Sequence, residues 1–190
     1  MEILVTGGLG FIGSHTVVEL LENNYKVIIV DNLSNSKIDV LDKIKKITGK
    51  DVKFYNENIC DKDALEKIFM KNNIDGVIHF AGYKAVGESC EKPLMYYHNN
   101  LLSTINLLEV MKNNNVKRFI FSSSATIYGD PGTTKYVEEL GRGKTTNPYG
   151  TTKAMIEQIL EDLYNSDNEW TISILRYFNP IGAHNSRFNW

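Results

Sequence analysis

The chain lacks several features that mark other classes of protein. It has only two cysteines, Cys60 and Cys90, and four histidines, with no Cys-x-x-Cys pair and no histidine cluster, which argues against a disulfide framework and a metal site. No apolar run is long enough to span a membrane, and no charged, cleavable leader precedes the first apolar segment. The formal net charge of −2 includes no basic stripe, which disfavours nucleic-acid and anionic-membrane partners. We therefore expect a cytoplasmic protein.

Short apolar segments alternate with amphipathic segments along all 190 residues, which suit one globular domain. The pattern predicts strands that begin at Ile3 and occupy residues 26–30, 52–55, 76–80, 118–122 and 171–177. Helices are predicted after the first strand, at 36–47, after a cap at Asp61, at about 93–111 and at about 148–164. This alternation is typical of an α/β protein with a doubly wound parallel sheet (Rossmann) and helices on both faces.

Three glycines punctuate the turn between the first strand and the first helix. Gly7 and Gly10 allow a tight turn and close approach to a pyrophosphate, and Gly13 lets the helix pack against the strand. The helix N-terminus offers N–H groups to phosphates. The second strand ends in Asp31, where a carboxylate binds adenosine ribose hydroxyls and repels a 2′-phosphate. The pattern predicts NAD, not NADP.

Polar side chains also follow the fifth strand. Ser124 ends a serine triplet there, and Tyr149 and Lys153 are spaced i, i+4 on one face of the next helix. A lysine ammonium close to a phenol lowers the pKa of the tyrosine, so Tyr149 is a candidate general base and acid. Ser124 is placed to hold a substrate hydroxyl, and the irregular stretch 129–147 is expected to border the site. His79, in the fourth strand, is predicted to be a core residue.

These motifs resemble the extended short-chain dehydrogenase/reductase superfamily and, within it, the UDP-glucose 4-epimerase family. The resemblance extends to about residue 183 and is carried by residues 4–16, 31–36, 77–89, 121–129, 148–153 and 175–180. It implies an NAD-binding Rossmann domain over residues 1–183, and residues 184–190 form a tail that departs from the family pattern. It also implies that a UDP-hexose is oxidised to a 4-keto sugar and reduced again on its opposite face, with NAD retained.

The resemblance assigns roles residue by residue. The catalytic residues would be Ser124, Tyr149 and Lys153, and the substrate would contact Lys84, Ser124, Tyr149 and Asn179. The cofactor would contact Gly7, Gly10, Phe11, Ile12, Gly13, Asp31, Asn32, Leu33, Ser34, Asn35, Ser36, Asn58, Ile59, Phe80, Ala81, Gly82, Tyr83, Lys84, Asn99, Ser122, Tyr149, Lys153 and Phe178.

Two alternative functions stay open. A sugar-nucleotide 4,6-dehydratase shares the glycine turn and the Tyr/Lys pair, but such enzymes place an Asp-Glu pair where this chain has Ala125 and Thr126. The chain therefore lacks the acid that the elimination needs, which favours the epimerase. The other alternative is a non-catalytic NAD-binding module.

The chain departs from the family pattern in two places. Asn58 stands where such epimerases commonly have Asp. Members of the family also continue for about as many residues again, into a smaller domain that grips the uridine diphosphate. We therefore expect a truncated epimerase without the C-terminal substrate domain and with weak or no activity, since positioning supplies about 7–11 kcal/mol of a barrier. The resemblance also implies a homodimer formed by the helices at about 93–111 and 148–164.

Overall fold

The computed structural model describes residues 1–186, in which strands and helices alternate along the chain. The strands are β1 (Glu2–Thr6), β2 (Lys26–Val30), β3 (Lys53–Tyr55), β4 (Gly76–His79), β5 (Arg118–Ser124) and β6 (Thr171–Tyr177). The helices are α1 (Phe11–Glu22), α2 (Val40–Thr48), α3 (Lys62–Met70), α4 (Val86–Glu91), α5 (Pro93–Asn113) and α6 (Pro148–Ser166), with a 3-10 turn at Ala125–Tyr128.

The six strands form one parallel sheet in the order β3-β2-β1-β4-β5-β6. This order confirms the predicted doubly wound Rossmann fold. Strand β2 lies on one side of β1, and β4 lies on the other side. Ligands of such sheets bind at the crevice where the strand order reverses, outside the carboxyl ends of β1 and β4.

The central strands β1, β2 and β4 are nearly continuous buried runs, because helices cover both faces of this part of the sheet. Leu4 and Ile28 face one core, which they share with apolar residues of α3, α5 and α6. Val5 and Ile29, their neighbours along the same strands, face the opposite core with residues of α1 and α2. The polar and glycine residues that follow the strands therefore emerge at one edge of a rigid sheet.

Helix boundaries mostly follow local signals. Asp61 caps α3 as predicted, since its Oδ1 accepts a hydrogen bond from the Ala64 N–H at 3.0 Å. The prediction of a helix from residue 36 is wrong, because α2 begins at Val40 and the Ser36 hydroxyl instead donates to Asp31 at 2.8 Å. Helix α4 was not predicted, because its six residues are too few to show a helical period.

No helix within residues 1–186 combines the length and the apolarity that a membrane crossing requires. Of the tail expected at 184–190, residues 187–190 lie outside the described part of the chain.

Candidate active site

The turn after β1 is built around two glycines that no other residue could replace without a backbone shift. Gly7 has a φ of +67°, and a Cβ there would lie 2.7 Å from the Ala81 backbone nitrogen. A Cβ on Gly13 would lie 2.2 Å from the Gly7 carbonyl oxygen. Helix α1 begins at Phe11, and its N-terminus carries no side-chain cap. The turn therefore presents backbone N–H groups and the positive end of a helix dipole, which suit a phosphate group.

The Asp31 carboxylate lies beside this turn, at the end of β2. Its Oδ2 accepts a hydrogen bond from the Leu9 N–H at 3.1 Å. Its Oδ1 accepts from the Leu33 N–H at 3.0 Å and from the Ser36 hydroxyl. These bonds fix the carboxylate at the edge of the glycine turn, and they bring the predicted segment 31–36 together with residues 7–13.

The other predicted cofactor contacts follow β3 and β4. Asn58 is exposed, and its Oδ1 accepts from the Cys60 N–H at 3.0 Å, while Ile59 is buried. Residues 80–84 follow β4, and Tyr83 among them is hydrogen-bonded by the side chain of Asn100. Lys84 is exposed, and Asn99 donates from Nδ2 to the Asn100 Oδ1 at 3.0 Å.

Asn100 was not predicted, although it organises this part of the site. Its Oδ1 accepts from the Tyr83 N–H at 2.8 Å, and its Nδ2 donates to the Tyr83 carbonyl at 3.0 Å. The same Nδ2 donates to the Thr152 hydroxyl at 3.1 Å, one residue before Lys153. A buried amide that spans α5, α6 and the segment after β4 leaves no periodic signal in the sequence. The Asn100 side chain therefore links α5 and α6 to the segment that follows β4.

The predicted catalytic residues meet at the carboxyl end of β5. Asn147 caps α6 by accepting from the Gly150 N–H at 2.8 Å, which orients the first turn of the helix. Lys153 is buried, and its Nζ donates to the Ser122 carbonyl at 2.7 Å. The same Nζ lies 5.9 Å from the centroid of the Tyr149 ring. Ser124, at the end of the strand, is 7% exposed, and its Oγ accepts from the Thr126 N–H at 3.2 Å.

The electrostatics of this group differ from the sequence-based expectation. Burial raises the pKa of Tyr149, and only the hydrogen bond with Ser124 acts in the opposite direction. The expectation that Lys153 lowers the pKa of Tyr149 is therefore wrong, because burial of the phenol has the largest effect and Lys153 is not among the groups that shift this pKa. Burial also lowers the pKa of Lys153 to about 8, against the opposing charge of Glu157. The ammonium form of Lys153 is still the main form at neutral pH.

A buried ion pair lies one helical turn beyond Lys153. The carboxylate of Glu157 is fully buried and accepts from Arg176 Nη2 at 2.9 Å and from Arg176 Nε at 3.2 Å. The Ser123 hydroxyl also donates to it. Arg176 reaches further, donating to the carbonyls of Glu138 and Leu140 at 3.3 Å. The ion pair therefore connects α6 to β5, to β6 and to the irregular stretch 129–147.

Phe178 and Asn179 follow β6 and are exposed. The Phe178 ring makes an edge contact with Tyr136, with 5.5 Å between centroids. Together with Tyr128 and Arg176, these rings line a cleft of about 530 Å³ at the outer side of β6. The structure does not bring Phe178 or Asn179 into a described hydrogen bond with Ser124 or Tyr149.

His79 is a core residue, as predicted. Its ring is buried and bonded on both nitrogens, to Thr6 Oγ1 at 2.7 Å and to Thr104 Oγ1 at 3.0 Å. Burial lowers its pKa to about 3, so it stays neutral. Cys60 and Cys90 are free thiols, and the residues that the structure describes include no cluster of His, Cys, Asp or Glu arranged to hold a metal ion.

Comparison with known proteins gives concordant results. Residues 3–189 match the NAD dependent epimerase/dehydratase family. A curated relative, the UDP-glucose 4-epimerase of Bacillus subtilis (strain 168), is 56% identical over 186 residues, which are 98% of this chain and 55% of the relative. The chain thus spans about half the length of the curated relatives it matches.

Similar solved structures are also UDP-glucose 4-epimerases, and the chain again covers about half of each. A UDP-glucose 4-epimerase from Bifidobacterium longum in complex with NAD+ and UDP has a TM-score of 0.96 at 56% identity, covering 98% of this chain and 56% of that one. A UDP-glucose 4-epimerase from Stenotrophomonas maltophila with bound NAD and formylated UDP-arabinopyranose has a TM-score of 0.94 at 42% identity, covering 98% and 55%.

Proposed function

The chain belongs to the NAD dependent epimerase/dehydratase family, and we propose that it carries the cofactor-binding and proton-transfer residues of a UDP-glucose 4-epimerase. The reaction would interconvert UDP-glucose and UDP-galactose. In this proposal residues 1–183 form the NAD-binding domain, and the residues that the resemblance assigned to cofactor, substrate and catalysis keep those roles.

The residues present fit NAD. The space that a Cβ would fill at Gly7 and Gly13 is taken by backbone, so the turn is tight enough for N–H groups to reach a diphosphate. Asp31 is held beside this turn with oxygens that can accept from ribose hydroxyls. Its negative charge disfavours a 2′-phosphate, which supports NAD over NADP.

When bound, NAD+ supplies the acceptor to which a hydride passes and from which it returns. Tyr149 would take the proton of the sugar 4-hydroxyl and later return it, as a general base and acid. Ser124 would donate a hydrogen bond to a nearby oxygen on which negative charge develops during the proton transfer, and would thereby stabilise that charge. Lys153 keeps a positive charge 5.9 Å from the Tyr149 ring and fixes the end of β5 through the Ser122 carbonyl.

One observation carries the proposal, namely the arrangement of α6 against the end of β5. Lys153 on α6 bonds to the Ser122 carbonyl of β5, and its Nζ lies 5.9 Å from the centroid of the Tyr149 ring. Ser124 ends the same strand, so a phenol and a hydroxyl share one edge of the sheet beside a cation. The two residues after Ser124 are Ala125 and Thr126, which provide no carboxylic acid for a dehydration. The epimerase is therefore favoured over the 4,6-dehydratase.

The test is NAD binding followed by substrate addition. The purified 190-residue chain should bind NAD in a calorimetric titration, and added UDP-glucose or UDP-galactose should produce the absorbance of reduced nicotinamide. The variant Tyr149→Phe should keep the binding and lose most of the reduction, because it lacks the proton acceptor. Tyr164→Phe, on an exposed part of the same helix, is the matched control and should behave as the unmodified chain.

NAD binding without any reduction of the nicotinamide would contradict the catalytic proposal and favour the alternative of a non-catalytic NAD-binding module. Absence of NAD binding would contradict both functions.

The homodimer also remains a proposal. Leu94, Ile105 and Met155 are exposed apolar side chains on α5 and α6, with exposed fractions of 82%, 38% and 44%. Burying them against a second copy would remove apolar surface from water. Sedimentation velocity of the chain would test it, and a monomer at all concentrations would contradict it. The cytoplasmic location expected from the sequence is likewise a proposal, to be tested by cell fractionation.

A further inference from the structure

The chain on both sides of Ser124 is tied to one buried ion pair. On the strand side, the Ser123 hydroxyl donates to the Glu157 carboxylate. On the other side, the 3-10 turn that follows β5 ends at Tyr128, whose hydroxyl accepts from Arg176 Nη1 at 3.2 Å. Arg176 also donates to both carboxylate oxygens of Glu157, from Nη2 at 2.9 Å and from Nε at 3.2 Å. Ser124 therefore lies between two tethers that meet in the same ion pair.

These groups are largely shielded from water, and their geometry requires a guanidinium. Ser123 and Tyr128 are 2% and 4% exposed, and the side chain of Glu157 is 0% exposed. The Arg176 Cζ lies 4.9 Å from the centroid of the Tyr128 ring. A planar guanidinium has five N–H donors, so it can donate to both oxygens of a carboxylate and still reach a phenol, whereas a lysine ammonium is a single point charge.

The 3-10 turn is the structure that this bridge supports. Ser124 is the N-cap of the turn, and its Oγ accepts from the Thr126 N–H at 3.2 Å and from the Thr126 hydroxyl at 3.0 Å. The Gly129 N–H closes the other end by donating to the Thr126 carbonyl at 3.3 Å. Short 3-10 turns have poorer hydrogen-bond geometry than α-helices and therefore depend on their surroundings. The orientation of the Ser124 hydroxyl thus depends on how the far end of the turn is held.

We propose that Arg176 is a positioning residue for Ser124, because its bridge from Glu157 to the Tyr128 hydroxyl fixes the turn that Ser124 caps. The catalytic meaning of this bridge rests on the proposed function, in which Ser124 donates to an oxygen on which charge develops. A hydroxyl that is oriented in advance needs no reorganisation when that charge appears. The bridge itself belongs to the fold of this chain and can be measured without cofactor or substrate.

The experiment measures the side-chain rotamer of Ser124 by NMR in the full 190-residue chain. The three-bond couplings between its Hα and Hβ protons report whether the side chain occupies one staggered rotamer or an average of several. Ser14 is the reference serine, since it is buried in α1 and its hydroxyl donates to the Phe11 carbonyl at 3.0 Å. Overall stability does not set these couplings, because they are properties of the folded state.

Two variants break the bridge in different ways. Tyr128→Phe removes only the phenolic hydroxyl and leaves the ion pair and the Arg176 bonds to the carbonyls of Glu138 and Leu140 in place. Arg176→Lys keeps a positive charge beside Glu157 but cannot donate to the carboxylate and the phenol together. Tyr164→Phe, on an exposed part of α6, is the matched control. Circular dichroism verifies that each variant is folded.

In both bridge variants the couplings of Ser124 should move from the values of a single rotamer toward the rotamer average. Those of Ser14 should stay constant, and Tyr164→Phe should match the unmodified chain. Unchanged couplings of Ser124 in Tyr128→Phe would overturn the proposal, and so would equal averaging at Ser14, which indicates a general loosening. If Arg176→Lys does not fold, Tyr128→Phe decides the question alone. Because neither NAD nor a sugar nucleotide is needed, a failure of the proposed enzymatic function would leave this result intact.

Discussion

Replacing Glu157 by glutamine tests how much the buried ion pair contributes to stability. The side chain of Glu157 is 0% exposed, and it accepts two hydrogen bonds from Arg176 and one from Ser123. A second cation, Arg142, lies 3.9 Å away. Glutamine keeps the volume of the side chain but removes the charge, so two guanidinium groups lose their shared buried counter-ion.

The expected cost follows from what Arg176 retains. Removing one partner of a buried ion pair costs about 3–5 kcal/mol, since a buried charge is left without compensation. Arg176 is 19% exposed and keeps hydrogen bonds to the Tyr128 hydroxyl at 3.2 Å and to the carbonyls of Glu138 and Leu140. We therefore expect a loss near the lower limit, about 3 kcal/mol, from a total stability on the order of 5–15 kcal/mol.

The assay is urea unfolding followed by circular dichroism, with free energies obtained by linear extrapolation. The matched control is Glu161→Gln, on the same helix. The side chain of Glu161 is 48% exposed and paired with Arg142, so its loss should cost at most about 1 kcal/mol. Equal losses of free energy in the two variants would refute the reasoning from burial. Restoration of most of the stability by the pair Glu157→Leu and Arg176→Met would support it.

Two further predictions concern the glycine turn and Lys153. Gly13→Ala should abolish NAD binding and destabilise the chain by at least about 1–3 kcal/mol, because its Cβ would lie 2.2 Å from the Gly7 carbonyl oxygen. Gly87→Ala, where a Cβ has no atom within 4 Å, should cost almost no stability. Calorimetry measures NAD binding by the two variants, and thermal unfolding measures their stability. Burial lowers the pKa of Lys153 from 10.5 to about 8. Between pH 8 and pH 10.5 the lysine is therefore protonated more in the unfolded chain than in the folded chain, and its contribution to the free energy of unfolding rises with pH. Lys153→Met should remove this pH dependence. Urea unfolding at pH 7 and at pH 10 should show that the variant gains more free energy of unfolding, relative to the unmodified chain, at pH 7. A gain in free energy that does not depend on pH would contradict the prediction.

Several parts of the fold were predictable because their signals are local. The apolar runs at 26–30 and 171–177 are strands with the predicted limits. Asp61 is the cap that its position before an amphipathic segment indicates. The glycine turn was also predictable, since glycine is the residue that most readily adopts the positive φ of Gly7 and a Cβ has no space at position 13.

Other parts were not predictable because the partners are far apart in sequence. Asn100 joins Tyr83 and Thr152 through one buried amide. Glu157 and Arg176 are found on α6 and β6, and nothing local in the sequence indicates that they form an ion pair. The error about Tyr149 has the same origin. The i, i+4 spacing predicted a lysine that lowers the pKa of the phenol, but burial of the phenol, which only packing decides, raises that pKa instead.

The order of apolar, polar and glycine residues by itself determined the alternation of strands and helices, the parallel sheet and the edge where the functional side chains emerge. These depend on periodicity and backbone conformation, which a short stretch of chain already contains. Only the tertiary structure decided which groups are buried, which hydroxyl donates and which charges are paired, as Ser124 and Glu157 illustrate. Those properties depend on desolvation and on the few ångströms between groups that only packing brings together.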